Sequence, residues 1–308
     1  MQLRRAHIPA VLAAAAVGLV AAACSSGSSS SSTTTTSLAP LPAQVIPTQK
    51  VDPTVSALVP AKVRSAGTWA VATDATYPPM ELIAPTGAIV GVDPDIATAL
   101  AQTMGLKLKV ENATFDTIIP GLQSGKYGMG ASSFTDTKAR QKQVDFVDYF
   151  VAGEAFYVKK GGTVSLSGLV SLCGHSVAVE AGTTEETDAK AQAAVCAKKG
   201  TGKVTVLTFN NQSQANLAVS SGRADAGFAD SQVAGYIVAS SKGVFQLSGS
   251  PFNLAPYGLA LPKGNGMAPA VRAAMEAIVK NGTYDQILTK WGVIAGALNT
   301  PVINGATQ

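Results

Sequence analysis

The chain has 308 residues, 46% of them hydrophobic and only 14% charged, with 30 glycines and 16 prolines. That is apolar material for two ordinary domains or one large one, and it excludes disorder of the whole chain. Lys and Arg (23) exceed Asp and Glu (19) by only 4, short of the basic density that nucleic-acid binding requires, and two histidines with three cysteines leave few metal ligands and few bases for a His-dependent triad.

Arg4 and Arg5 precede an apolar run, Ile8–Ala23, that ends in Val20-Ala21-Ala22-Ala23-Cys24. A membrane span needs about 20 apolar residues and this run has 16, so it predicts a signal peptide over residues 1–23 instead of a retained anchor. The Ala-Ala-Ala-Cys end resembles a lipobox, in which processing cleaves before the cysteine and leaves lipid on Cys24; Ala21 stands where that pattern prefers Leu. Arg4-Arg5 is followed by Ala6-His7 and not by the bulky apolar residue of twin-arginine export, which favours general secretion. Loss of the two arginines leaves 21 cations against 19 anions, a nearly neutral mature surface. The expected location is the outer face of the cell membrane, with the body anchored through Cys24. Ser25–Ser37 is almost entirely Ser and Thr, and a Pro-punctuated stretch continues to Pro60. Such a composition cannot bury enough apolar area to offset chain entropy, so residues 24–60 are expected to form a flexible tether.

From Thr68 short β-rich runs alternate with helical ones, an α/β signature. Trp69–Thr73 reads as a strand. Asp93 reads as an N-cap with Pro94 at N1, and Ile96, Leu100 and Met104 recur every four residues until Gly105. Leu106–Val110 alternates as a half-buried strand. A second α/β block starts at Ser176–Val179, passes through a helix around Glu185–Ala197, and returns as Val204–Leu207. A helix over Gln214–Ser221 and a strand over Ala224–Ala229 follow. Pro269, Val271, Met275, Ile278 and Val279 mark an amphipathic helix closed by Asn281-Gly282, and Thr283 is a candidate cap for one more, through Trp291.

Several blocks then carry a specific resemblance. Thr73-Asp74-Ala75-Thr76-Tyr77-Pro78-Pro79-Met80, Gly91-Val92-Asp93-Pro94-Asp95, the run Phe115–Lys126 and the run Ala139–Phe146 resemble successive blocks of the family 3 extracellular solute-binding proteins, the polar amino-acid receptors of ABC importers. Ala181–Thr184, Gly222–Ala226, Pro256–Ala260 and Asn281–Asp285 follow in the family's order, so that the match runs from about Thr68 to Trp291. The resemblance implies a two-lobed, type II periplasmic-binding-protein-like α/β fold, each lobe a mixed or parallel sheet flanked by helices. Lobe 1 is expected over residues 61–155 and 256–295, lobe 2 over 156–255, and a C-terminal tail over 296–308. The two crossings are expected near Ala155–Lys159 and Pro256–Lys263, with ligand between the lobes at strand ends and helix N-termini.

A zwitterion needs a cation for its carboxylate and an anion for its ammonium, because a charge buried unpaired costs several kcal/mol. The resemblance assigns Arg140 to the carboxylate through its planar fork and Asp230 to the ammonium. It places Ser132, Ser133 and Thr135 on the loop before Arg140 as ligand contacts, with Phe134 between them a local variation. It places Thr183 and Thr184 at a helix N-terminus that receives the carboxylate, Tyr77 and Phe115 as stacking aromatics, and Asp74 and Glu180 at the side-chain end. Two carboxylates beside two aromatic faces favour a cation, hence arginine, lysine or ornithine.

Cys173 and Cys196 remain as an even pair after Cys24, which in an exported chain predicts a disulfide; a zinc site using His175 lacks a fourth ligand. The expected activity is capture of an amino acid and delivery to an ABC transporter permease by a monomeric lipoprotein, without cofactor, metal, catalytic residue or nucleic acid. Two other readings are a cyclohexadienyl-dehydratase-like enzyme on the same fold, in which Asp74 or Glu180 would supply an acid, and a ligand sensor docking on a signalling protein.

Overall fold

Residues 41–306 are described by a computed structural model. The expected signal peptide, Cys24 and the Ser/Thr-rich stretch fall outside the described residues. The folded body begins before residue 60, where the tether was expected to end. Asp52 caps α1 (Pro53–Ala57) by accepting from Thr54 N–H at 2.8 Å, and α2 (Ala61–Ser65) follows. Val55 and Val59, four residues apart, are 5% and 1% exposed in the main core. Asp52 N–H donates to Thr103 O, and Asn281 Nδ2 donates to Gln49 Oε1, tying the segment to lobe 1.

Lobe 1 contains β1 (Trp69–Thr73), a small antiparallel sheet of β2 (Thr76–Tyr77), β3 (Glu81–Ile83) and β4 (Ile89–Val90), then α3 (Val92–Met104), β5 (Leu108–Asn112), α4 (Phe115–Gln123), β6 (Met129–Gly130) and α5 (Lys138–Gln141). The long β7 (Val144–Lys159) leads into lobe 2, which holds β8 (Ser176–Glu180), α6 (Thr184–Lys199), β9 (Thr205–Phe209), α7 (Gln212–Ser220), β10 (Ala226–Asp230) and α8 (Ser231–Ser240). The equally long β11 (Phe245–Pro262) returns to lobe 1, completed by α9 (Ala268–Lys280) and α10 (Thr283–Lys290). Hydrogen bonding is continuous through eight strands in the order β5-β1-β6-β11-β7-β10-β8-β9, so that β7 and β11 form a ribbon shared by the two lobes.

Both crossings lie ahead of their expected places. Ala155–Val158 already pair with β10 inside lobe 2, and Pro256–Pro262 already pair with β7 inside lobe 1. The passage is at Val151–Glu154 and Phe252–Ala255, where the β7–β11 register shifts. A Cβ on Gly153 would sit 2.8 Å from Phe252 O, so the strands come too close there for a side chain. Helix starts also differ from expectation. Gly91, not Asp93, caps α3: its φ is 144° and a Cβ there would meet Met80 O at 2.1 Å. Gly282, with φ 78°, precedes α10 in place of Thr283. Beyond α10, Phe150 bridges Ala297 and Val147 bridges Ile303, so the C-terminal residues run along β7. Cys173 and Cys196 form a disulfide with Cα atoms 5.6 Å apart, holding the start of lobe 2 to α6. Strands β1, β6, β8 and β10 all end toward the space between the lobes, the usual ligand position for an open α/β sheet.

Candidate functional site

Asp74 leaves the end of β1. Its Oδ2 accepts from Phe115 N–H at 3.0 Å and its Oδ1 from Thr76 Oγ1 at 2.8 Å, which aims the carboxylate across the cleft. Burial raises its pKa, opposed chiefly by those hydrogen bonds. The loop after β6 carries the next group. Asp74 N–H donates to Ser132 Oγ (2.9 Å), which donates to Glu81 Oε1 (3.0 Å), while Ser133, at φ 49°, gives its N–H to Asp93 Oδ2 (2.6 Å) and its hydroxyl to the same oxygen (3.3 Å). The hydroxyls of Ser132 and Ser133 thus shape the loop, and Asp93, expected as a helix cap, is the anchor that holds it.

Arg140 rises from α5, whose cap Thr137 accepts its N–H at 3.2 Å. Nη1 donates to Thr135 O at 2.8 Å on the same lobe, and Nη2 donates to Gly182 O at 2.9 Å on the other. The guanidinium carbon lies 5.4 Å from the Phe115 ring centroid and 5.6 Å from that of Phe134, and the two rings stack 4.4 Å apart. Phe134 is therefore half of an aromatic bed under the arginine. Burial lowers the Arg140 pKa, and the carboxylates of Glu185 and Asp230 oppose that; a guanidinium remains charged in either case.

On lobe 2, Glu180 ends β8 and is 2% exposed. Burial, then the nearby charge of Asp74, push its pKa well above the carboxylate range, and its Oε1 has no hydrogen-bond partner among the described residues. Thr183 caps α6: its hydroxyl accepts from Glu186 N–H at 3.1 Å and donates to Glu180 O at 2.8 Å. Thr184 Oγ1 lies 3.4 Å from Thr135 Oγ1 across the cleft. Gly182, at φ 80°, lets Asp116 of lobe 1 come close, since a Cβ there would be 3.0 Å from the Asp116 Cβ. Asp230 ends β10 and accepts from Tyr77 OH at 2.8 Å. Burial pushes it up to about 6, opposed by the hydroxyls of Tyr257 and Tyr77 and by Arg140.

All eleven residues expected at the site line one pocket between the lobes. Two further carboxylates line it, Glu81 and Glu185. Glu185 is 1% exposed with Oε1 unpartnered among the described residues, and burial, Asp230 and Glu154 push its pKa well up. In the sequence it reads as an acid favoring a helix N-terminus, and nothing local marks it as buried. Glu81, fully buried behind Ser132, likewise carries no local signal.

Residues 70–294 match the bacterial extracellular solute-binding proteins, family 3. The chain belongs to this family. Among curated relatives it is 32% identical over 253 residues to the arginine-binding protein of Corynebacterium glutamicum, covering 82% of this chain and 83% of that one. It is 34% identical over 212 residues to the ABC transporter glutamine-binding protein of Bacillus subtilis, covering 67% and 74%. Among solved structures, an ancestral arginine-binding protein bound to arginine superposes with a TM-score of 0.68 at 40% identity, covering 73% of this chain and 98% of that one.

Proposed function

We propose that this family 3 protein captures a cationic amino acid, arginine, lysine or ornithine, and hands it to the permease of an ABC importer, with no bond made or broken. The observation that carries the ligand class is the meeting of Asp74 and Glu180 from opposite lobes at one end of the cavity, with the Tyr77 and Phe115 rings lining the same space. Glu180 brings to this end an oxygen without a partner among the described residues, and a ligand cation there would draw both carboxyls to the ionised form. At the other end Arg140 and the α6 N-terminus offer a cation and N–H groups to a carboxylate, and Asp230 offers an anion to the ammonium. The arginine-binding relatives support the same reading. No described helix is long and apolar enough to cross a membrane. Lipidation of Cys24 after removal of residues 1–23, with a tether ending ahead of α1, would keep the monomeric body at the outer face of the membrane.

A thermal-shift series with arginine, lysine, ornithine and glutamine tests the reading, because ligand at 100 times its dissociation constant adds about 2.7 kcal/mol of stability. Stabilisation by the three cations and less by glutamine is the expected result. Stabilisation by glutamine alone would remove the cationic class while leaving an amino-acid receptor.

A further inference from the structure

We propose that Asp136 is a positioning residue for the Arg140 loop and that the C-terminal segment Val302–Ala306 is the strap that holds it in place. The proposal rests on the reading of the cleft as an amino-acid site, to which it adds residues that do not line it. Asp136 is fully buried between two residues with roles in the cleft: Thr135, whose carbonyl holds Arg140, and Thr137, which caps the helix that carries Arg140. Its N–H donates to Pro256 O on β11 at 2.8 Å. Its carboxylate accepts from Gln141 Nε2 at 2.9 and 3.0 Å, fixing the far end of α5, and from Ala306 N–H at 3.1 Å.

The strap is bound along its length. Val302 O accepts from Asp148 N–H at 2.8 Å, Asn304 Oδ1 accepts from Phe146 N–H at 2.8 Å, Asn304 N–H donates to Phe146 O at 3.1 Å, and Gly305 N–H donates to Asp148 Oδ2 at 3.1 Å. Two features fit this segment to its place. Asn304 takes φ 54°, a conformation that Asn tolerates better than most residues, and a Cβ on Gly305 would stand 2.4 Å from Asp148 Oδ2. Asp148 is 1% exposed, and burial together with the adjacent Asp136 pushes it up to about 8. Two strap N–H groups, those of Gly305 and Ala306, and the Gln141 amide donate to these two buried carboxyls. A carboxylate placed inside lobe 1 in this way fixes a loop whose other face must meet the ligand.

Gly305→Ala tests the strap in the full mature chain, since its new methyl group collides with Asp148 and not with any residue of the cleft. Hydrogen exchange of the amides over Ser132–Gln141 should accelerate about tenfold or more, with β8 and β10 of lobe 2 unaffected. With L-arginine as probe, affinity should fall about 5- to 50-fold in the wild-type background but less than about 2-fold in an Arg140→Ala background, because a loss transmitted through Arg140 cannot be suffered twice. Should Gly305→Ala fail to fold, Asp136→Asn keeps the volume and one acceptor oxygen and should show the same pattern more weakly, with Asp136→Ala worse than Asp136→Asn. Unchanged exchange over the loop, or an equal loss of affinity in both backgrounds, overturns the proposal. Absence of arginine binding by the wild-type protein strikes the ligand reading instead, and the exchange measurement then decides the strap alone.

Discussion

Tyr77 of lobe 1 and Asp230 of lobe 2 exchange two hydrogen bonds across the cleft: the phenol donates to Asp230 Oδ2 at 2.8 Å and accepts from Asp230 N–H at 3.0 Å. The carboxylate assigned to the ligand ammonium is thus also a contact between lobes, and closing the cleft and completing the anion site are one event. Gln212 N–H to Thr76 Oγ1 (3.3 Å) and Arg140 Nη2 to Gly182 O (2.9 Å) are further contacts of this kind.

Tyr77→Phe keeps the ring and removes only the hydroxyl. Two groups of Asp230 lose their partner, each a loss of about 1–3 kcal/mol when buried, and only in the closed form. Calorimetric affinity for arginine should drop about 5- to 100-fold, with little change in the melting temperature of the unliganded protein. Full affinity in the variant would mean that the contact plays no part in capture.

Glu180→Gln removes the charge at the proposed side-chain end without changing its size. It should weaken arginine by about tenfold or more relative to its effect on glutamine, since a buried charge pair lost from one side costs more than a neutral hydrogen bond. An equal effect on both amino acids would dismiss the cationic specificity and leave the fold and the zwitterion site untouched.

The raised carboxyls give opposite pH trends for stability and for binding. Asp148 and Glu154 are pushed up to about 8 and Asp230 to about 6, each chiefly by burial. A native pKa above the unfolded one means that the folded protein holds more protons; that stability is full below the unfolded carboxylate value and is lost as pH rises through the native value. The unliganded protein should therefore melt at a higher temperature at pH 6 than at pH 9. Binding requires Asp230 ionised, so the affinity for arginine should fall as pH drops below about 6, by up to about tenfold per unit for one proton. Fluorimetry and calorimetry across this range check both, and a melting temperature that climbs steadily from pH 6 to pH 9 would contradict the first.

Local signals made much of this legible in the sequence, and their limit is physical. Thr183 before an acidic first turn reads as a cap, and Gly105 as a helix stop, because both effects act within one turn of chain. The residues that family resemblance singles out come together in one pocket because they sit at strand ends and on the loops that follow them. Glu81, Asp93, Asp148 and Glu185 could not be found this way: a carboxylate is ordinarily a surface residue, and what buries these is packing between distant segments. Asp93 lies 40 residues from the Ser133 that it holds. The same reason hid the folding of residues 51–65 onto lobe 1, where Val55, Val59 and Val63 supply apolar contacts from a Pro-punctuated stretch.

The disulfide closes a loop of 23 residues, for which loop-closure arithmetic gives about 3 kcal/mol. Replacing Cys173 and Cys196 together by Ala should lower the melting temperature while leaving affinity for arginine within about twofold of the wild type, because neither residue lines the cleft and sites without shared partners act independently. A large loss of affinity in a folded variant would show that α6 depends on the bond for its N-terminal geometry.

Arg140 decides the carboxylate end. Its guanidinium already gives Nη1 to Thr135 O and Nη2 to Gly182 O, and with five N–H donors it retains others for a ligand carboxylate while bridging the lobes. A lysine ammonium is a point charge with three donors and no planar fork, and cannot lie flat on Phe115 and Phe134 in the same way. Arg140→Lys should therefore lose most of the affinity despite keeping the charge, and Arg140→Ala should lose about 2 to 5 kcal/mol, roughly 30-fold to several thousand-fold. Asp230→Ala should fall in the same range, with one difference. Its loss removes a buried carboxylate whose charge is already unfavourable, so the unliganded protein should be no less stable than the wild type, whereas Arg140→Ala removes a cation that attracts Glu185 and Asp230. Calorimetry with arginine and melting curves without ligand separate these outcomes. Wild-type affinity in Arg140→Ala would place the ligand carboxylate elsewhere in the cleft, and wild-type affinity in Arg140→Lys would mean that charge alone, and not the fork, holds it.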